Sequence, residues 1–232
     1  MRVASIAVLS ACIWFAAYAE GADVSGLIAK LKSKDSDARR AAAKDLGELK
    51  DEAKSAVPEL IRATRDKDLF VRRYAAEALG NIGPDAKAAI AALGAAMNDE
   101  KKEVAEAAVD ALGKIGPDAI PALISALKDA NKHPNVRRKA AVALGTFGPR
   151  ARGSVTAMAD ILSGKVKMGK KNKGGNDDDI RIEVATALGS VAKSDDAAAI
   201  KALKAVSEGK QKNKALKKAA GEALRQIDRG EK

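Results

Sequence analysis

The chain has 232 residues, of which 47% are hydrophobic and only 3% aromatic, and its formal net charge is +11. Most of the apolar residues are therefore Ala, Leu, Ile and Val, a composition that favours closely packed helices. A single Cys excludes an intrachain disulfide and any metal site built from several thiolates. The positive charge keeps an anionic partner open as a possibility, so the positions of the charges matter.

The first nineteen residues differ from the rest of the chain. Arg2 precedes an apolar stretch over 3–16, and Ala17-Tyr18-Ala19 gives the small-x-small pattern of a signal peptidase site. This pattern predicts a signal peptide over 1–19, cleavage after Ala19, and an exported protein, periplasmic or secreted in a bacterium. Two alternatives remain: a lipid anchor at Cys12, whose preceding residues are similar to a bacterial lipobox, and an uncleaved anchor, which the short apolar stretch disfavours.

Six segments of the remaining chain share one pattern, in which small residues lead to a Leu that is usually followed by Gly. The shared Leu occurs at 46, 79, 112, 144, 188 and 224, so the unit is 32 to 36 residues long apart from one step of 44. A repeat of this length indicates stacked supersecondary units with one shared core.

Each unit is predicted to be a helical hairpin. In the second unit Val71, Ala75 and Leu79 fall on the buried stripe of one helix, and Leu60 and Ile61 belong to the helix before it. Asp-rich turns between the two helices suit N-caps, and Gly-Pro pairs after the second helix suit its end. The second helices are expected near 37–49, 69–82, 102–115, 135–147, 180–192 and 214–228.

The segment 66–84, AspLysAspLeuPheValArgArgTyrAlaAlaGluAlaLeuGlyAsnIleGlyPro, resembles the HEAT repeat, in particular the short variety found in phycobilisome lyases. The resemblance extends over about 23–228. It implies an all-α fold over 20–232, a right-handed α-solenoid of six HEAT-like hairpins whose second helices line the concave face. The terminal units would act as caps, and Arg225 replaces the usual Gly in the last unit.

An Arg recurs near the start of the second helices. We interpret it as structural, pairing with turn Asp residues such as Asp66 of its own or an adjacent unit, although Ala105 breaks the series. The positions are Arg39, Arg72, Arg137 and Arg181, with Lys217 in the last unit.

The next position is expected to point into the concave groove, and another groove position lies one turn further along. The second row mixes acidic, basic and uncharged residues, whereas a groove for a phosphate backbone would need cations in both rows. The pattern therefore predicts a protein partner and makes nucleic acid a poor candidate, also because few aromatic residues remain to stack bases. The candidate partner-binding residues are Arg40, Arg73, Glu77, Glu106, Asp110, Arg138 and Lys218.

An insertion over 163–179 accounts for the long repeat step and lacks apolar residues, so a mobile surface loop is expected. Its lysines, together with Lys210 to Lys218, support the alternative function of polyanion binding, with nucleic acid, acidic polysaccharide or anionic lipid as the ligand. The insertion lysines are Lys165, Lys167, Lys170, Lys171 and Lys173. Asp177-Asp178-Asp179 ends the insertion but lacks the spacing of a calcium-binding loop.

No catalytic constellation is found in the sequence. His133 is the only His and lies in a turn, so a site with paired His ligands is excluded, and there is no Gly-x-Ser-x-Gly segment. We therefore predict a non-catalytic protein-binding scaffold or adaptor of the cell envelope or extracellular space, without cofactor or metal. The oligomeric state is not predicted.

Overall fold

Helical hairpins make up the described part of a computed structural model, which covers residues 23–166, 177–210 and 212–230. Within these ranges there is no β-strand, and the α-helices form six consecutive pairs. The signal peptide, Cys12 and residues 167–176 of the insertion lie outside them.

The first helices of the pairs, called the outer helices, are α1 Val24–Lys30, α3 Val57–Ala63, α5 Ile90–Ala96, α7 Ile120–Lys128, α9 Val155–Leu162 and α11 Ala197–Glu208. The second, called the inner helices, are α2 Ser36–Glu48, α4 Leu69–Ile82, α6 Lys102–Ile115, α8 Pro134–Thr146, α10 Asp177–Val191 and α12 Lys214–Arg229.

The predicted turn chemistry is confirmed at several helix ends. The Asp68 carboxylate caps α4 by accepting hydrogen bonds from the amides of Phe70 and Val71. Gly83, Gly116 and Gly148 end their hairpins with φ of 73°, 114° and 55°, in the region that Gly adopts without strain. Each following Pro opens a short 3-10 segment, so the outer helix begins later than the Gly-Pro pair suggested. These segments are Gly83–Ala89, Pro117–Ala119 and Gly148–Ser154, and Lys50–Ala56 is their counterpart in the first connection.

One continuous hydrophobic core runs through the stacked hairpins. The shared Leu of the repeat is fully buried in the first five units, for example at Leu46 and Leu188, and partly buried at Leu224. Neighbouring inner helices contact one another extensively, whereas neighbouring outer helices touch at few points, apart from α9 and α11. The inner layer is therefore the more closely packed of the two, and it forms the concave side of the solenoid.

Successive inner helices meet at a Gly of one unit and an Ala of the next. A methyl group on Gly80 would lie 2.7 Å from the Cα of Ala111, and one on Gly145 would lie 3.1 Å from the Cα of Ala187. Such short distances show that the two helix backbones are almost in contact, which explains why Gly follows the shared Leu. In the last unit, where no described helix follows, Arg225 takes the place of this Gly and is exposed.

The insertion is shorter than the sequence indicated. Asp177, Asp178 and Asp179 form the first turn of α10 and are not part of a loop, so this inner helix begins three residues before the expected start at 180. Carboxylates are favoured at this position because they lie at the positive end of the helix dipole. At the other boundary, Val166 packs against the core.

Candidate protein-binding groove

Three adjoining cavities form a continuous groove across α4, α6, α8 and α10, called here the inner groove. The first, of about 380 Å³, lies between α4 and α6. The second, of about 540 Å³, lies between α6 and α8 and shares Asp110, Lys114 and Lys139 with the first. The third, of about 260 Å³, lies between α8 and α10 and shares Val142, Thr146 and Glu183 with the second. The groove therefore spans four repeats.

Ion pairs and hydrogen bonds hold the charged side chains at the first two cavities. The Arg73 guanidinium lies 3.0 Å from the Glu77 carboxylate on the same helix, and Lys139 pairs with Asp110 across the second cavity. Glu106 accepts a hydrogen bond of 2.9 Å from the Asn135 amide. These contacts are partly open to solvent, so each is worth at most about 1 kcal/mol and can be exchanged for contacts with a ligand.

The third cavity carries little charge. Val142 is 44% exposed and lies at the position that holds Glu77 and Asp110 in the preceding units, and Thr186 follows it in α10. The inner groove therefore changes from a charged surface in its first two cavities to a largely uncharged one in the third.

The recurrent Arg residues are structural, as predicted. The Arg39 guanidinium donates two hydrogen bonds, of 2.7 and 2.8 Å, to the Asp66 carboxylate of the next unit, and Arg72 pairs with Asp99 in the same way. Each Arg also donates to backbone carbonyls of its own turn, for example Arg39 to the oxygen of Ser33 at 2.9 Å. The side chains are thus bound between two consecutive hairpins and are not available to a ligand.

The later members of the series also bind backbone carbonyls. Arg137 is 2% exposed and donates a 3.0 Å hydrogen bond to the Leu127 carbonyl, and Arg181 donates to the carbonyl of Leu162 at 3.2 Å. Burial lowers the pKa of Arg137, because desolvation disfavours the charged form. By contrast, the hydrogen bonds to Asp99 raise the pKa of Arg72 and outweigh the opposing effect of its burial.

The predicted partner-binding residues do not all lie in the inner groove. Arg73, Glu77, Glu106 and Asp110 line the first cavity, and Arg138 lines the second. Arg40 and Lys218 line none of the three cavities. Lys218 lies near Glu222 on α12, with 3.8 Å between the charged atoms.

Arg40 is engaged in a local cluster. Its guanidinium donates a 2.8 Å hydrogen bond to the Asp68 carboxylate, pairs with Asp37 and lies 5.0 Å from the centre of the Phe70 ring. The hydrogen bond from Arg40 lowers the pKa of Asp68, and the two backbone amides that Asp68 caps act in the same direction. This arrangement stabilises the junction of the first two hairpins.

The sequence interpretation missed several groove residues. Lys114 and Thr146 both lie two residues after the shared Leu, and Asn81 at the equivalent place accepts a 2.8 Å hydrogen bond from Lys114. A third row of groove positions at this spacing would have identified them. Glu103 lines the first cavity, and Lys139 lines the first and the second.

The residues of the polyanion alternative are only partly described. Lys165 pairs with Asp160 at 3.0 Å, and Lys167, Lys170, Lys171 and Lys173 lie outside the described residues. Over 23–166, 177–210 and 212–230, no group of three or more His, Cys, Asp or Glu side chains is placed to hold a metal ion. In these same ranges, no helix is both long and apolar enough to cross a membrane.

Stacked helical hairpins with a groove along the inner helices define an α-solenoid repeat protein. The sequence pattern of HEAT repeats matches residues 24–101 and 90–166, which together span more than half of the chain. The chain therefore belongs to the HEAT repeat family. No curated protein matches it in a sequence comparison.

Solved structures share the fold. An engineered protein is 25% identical, with a TM-score of 0.56 over 90% of this chain and 97% of that chain. A designed armadillo repeat protein in complex with peptide (KR)4 is 17% identical, with a TM-score of 0.58 over 88% of this chain and 99% of that chain. Another designed armadillo repeat protein is 16% identical, with a TM-score of 0.53 over 88% and 100% of the two chains.

Proposed function

We propose that the chain is a non-catalytic scaffold that binds an extended segment of a partner protein in the inner groove. The observation that carries this proposal is the continuity of the groove across four repeats, with exchangeable ion pairs at the first two cavities and the exposed Val142 between the second and the third. An extended chain can follow such a groove, placing charged and apolar side chains in turn. The solved armadillo complex with a peptide supports this mode of binding by analogy of fold only.

A photo-crosslinking residue placed at Glu106, on the wall of the first cavity, tests this function in the cells that make the protein. The matched control carries the same residue at Ser125, which is exposed on outer helix α7 of the fourth hairpin. We expect a discrete protein adduct from position 106 that competes with excess unlabelled protein and is absent from position 125. Adducts of equal yield and identity at both positions would show that the groove has no special role. An enzymatic activity that purifies with the chain and is lost in an Arg73→Glu variant would contradict the non-catalytic assignment.

A second candidate function is polyanion binding by the last hairpin. Among the described residues, Lys210, Lys212, Lys214 and Lys217 form no ion pair, so their charge is available. Binding to duplex DNA or heparin, if it occurs, should weaken steeply between low and physiological salt, because each neutralised anionic group releases a counterion. Lys214→Gln with Lys217→Gln should reduce that salt dependence, whereas groove variants such as Arg73→Glu should not.

We also propose that the protein is exported and acts in the cell envelope or outside the cell. The support is the n-region, apolar stretch and Ala17-Tyr18-Ala19 of the sequence. Intact mass and N-terminal sequencing of the protein from its native source should give Glu20 as the first residue. An acylated Cys12 at the N-terminus would support the lipid anchor instead, and retention of Arg2 would argue against cleavage.

A further inference from the structure

Each pair of successive inner helices forms a junction, counted from α2 and α4. The third junction, between α6 and α8, is called open because its two helix backbones are further apart than those of the other junctions. A methyl group on Gly113 would meet only the Ala143 side chain, at 3.3 Å, and no backbone atom of α8 within 4 Å. At Gly80 and Gly145, by contrast, the backbone of the next helix lies within 3.1 Å of such a methyl group. Helices α6 and α8 also share far fewer residue contacts than any other neighbouring pair of inner helices. The two backbones are therefore further apart at this junction.

The sequence around the third junction explains the opening. Ala105 stands where Arg39 and Arg72 cross-link the earlier hairpins, so no guanidinium binds the third unit to the fourth. The turn that follows is also longer, because Asp129 precedes the N-cap His133 by four residues whereas the equivalent Asp66 and Asp99 precede their N-cap residues by two.

The opening forms the second cavity of the inner groove, about 540 Å³ in volume and the largest of the three. Its apolar part is formed by Val109, which is almost fully buried, by Ala143, and by Val142, which is 44% exposed. The volume lies within the range of about 300–1,000 Å³ that is usual for ligand pockets. The cavity can thus accept a large side chain, and its apolar wall would remove that side chain from water.

The charged side chains around the second cavity differ in whether they already have a partner within the protein. Lys139 pairs with Asp110, Lys114 donates to Asn81, and Glu183 of α10 also lines the cavity. Arg138 is exposed and forms no ion pair with any described residue. A guanidinium beside an apolar cavity favours a ligand that carries a carboxylate next to its apolar group, because Arg forms two parallel hydrogen bonds to a carboxylate.

We propose that the third junction is the specificity site of the inner groove. It accepts one large aliphatic or aromatic side chain of an extended partner segment between α6 and α8, and Arg138 binds an Asp or Glu carboxylate beside that side chain. This inference rests on the proposed function, since it names the chemistry of the segment that the groove binds. The exposed guanidinium of Arg138, which can pair with an acidic residue, and the exposed apolar side chain of Val142 both lie at this junction.

The test begins with a selection from a random peptide library displayed on phage, with the full chain immobilised. Peptides that are enriched are synthesised, and their dissociation constants are measured for the wild type and four variants. Val142→Glu places a charge on the apolar wall, and Arg138→Ala removes the guanidinium beside it. Arg73→Glu reverses a charge at the first cavity. Ser125→Glu is the control, with the same introduced side chain on an outer helix. Circular dichroism establishes that each variant is folded. Because Arg138 is exposed and forms no ion pair with any described residue, Arg138→Ala should fold and still tests the inference if Val142→Glu does not fold.

We expect the enriched peptides to contain a large apolar residue beside Asp or Glu. Val142→Glu should weaken binding by at least about tenfold, and Ser125→Glu should leave it unchanged. Arg138→Ala should bind a peptide and its Glu→Gln analogue equally well, whereas the wild type should prefer the acidic form.

Two results would overturn the inference in distinguishable ways. Peptides that bind Val142→Glu and Arg138→Ala as tightly as the wild type, but are lost in Arg73→Glu, would retain the groove as a binding site and remove the third junction from it. Enrichment of no peptide, or of peptides that none of these groove variants affects, would contradict both the inference and the proposed function.

Discussion

Replacing Gly80 by Ala is expected to destabilise the protein, although Ala is normally the better residue in a helix. In α4 the change should gain about 1 kcal/mol from helix propensity. The added methyl group would lie 2.7 Å from the Cα of Ala111 and 3.0 Å from its Cβ, so α4 and α6 must move apart. Overpacking of this kind costs about 1–3 kcal/mol, and a backbone atom cannot rotate away as a side chain can. With a cost near the upper limit, the net loss should be about 2 kcal/mol.

Two further Gly→Ala substitutions make this a controlled comparison. At Gly113 the added methyl group meets only a side-chain atom, at 3.3 Å, so a small shift suffices and the propensity gain should offset the cost to within about 0.5 kcal/mol. At Gly94 in outer helix α5 nothing lies within 4 Å, and the substitution should stabilise by about 1 kcal/mol. The expected order of stability is Gly94→Ala, Gly113→Ala, then Gly80→Ala.

Urea unfolding followed by circular dichroism measures this order from the midpoints, provided that the slopes of the transitions agree between variants. Equal destabilisation by Gly80→Ala and Gly113→Ala would refute the conclusion that the third junction is open. A loss of stability in Gly94→Ala would show instead that the assumed helix-propensity gain does not apply in this array.

Three other predictions concern the hairpin connections. Arg72→Ala should destabilise the protein by about 2–3 kcal/mol, because it leaves the largely buried Asp99 carboxylate without its guanidinium partner. The control, Arg62→Ala on the exposed surface of α3, should cost less than about 0.5 kcal/mol in the same urea assay. Lys50→Gly should raise the thermal midpoint, with a gain of about 1 kcal/mol, because Lys50 has a φ of 52° where the next three connections have Gly. The lowered pKa of Asp68 stabilises the fold above about pH 4, and this stabilisation is lost as the pH falls through the folded-state pKa. In an acid titration, the free energy of unfolding of Asp68→Asn should therefore decrease less below about pH 4 than that of the wild type.

The periodicity of the sequence was sufficient to predict the fold. The shared Leu and the Gly-Pro pairs located the hairpins, and the Asp-rich turns identified caps such as Asp68, because these features depend on local backbone geometry. The expected start of the fifth inner helix at 180 was wrong, since Asp177 already lies in its first turn. Acidic residues favour both a helix N-terminus and a solvated loop, so composition alone could not locate this boundary.

The groove was less predictable than the fold. The sequence indicated which positions face inward, and Glu77 and Asp110 do line the same cavity. It did not indicate that Arg40 would be occupied by Asp68 of the next hairpin, because that pairing depends on the rotation of one hairpin against another. The opening at α6 and α8 was also not predicted, although Ala105, which interrupts the Arg series, is one of its causes.

The open third junction has a mechanical consequence. In a stack of hairpins that contact only their neighbours, bending stiffness depends on how firmly each pair of neighbours is joined. Close backbone contact at Gly80 and Gly145 makes their junctions stiff, whereas Gly113 provides no such contact. The first three and the last three hairpins are therefore expected to move as two rigid blocks about the junction of α6 and α8. A partner side chain inserted at that junction would fix the angle between the two blocks and so the curvature of the solenoid.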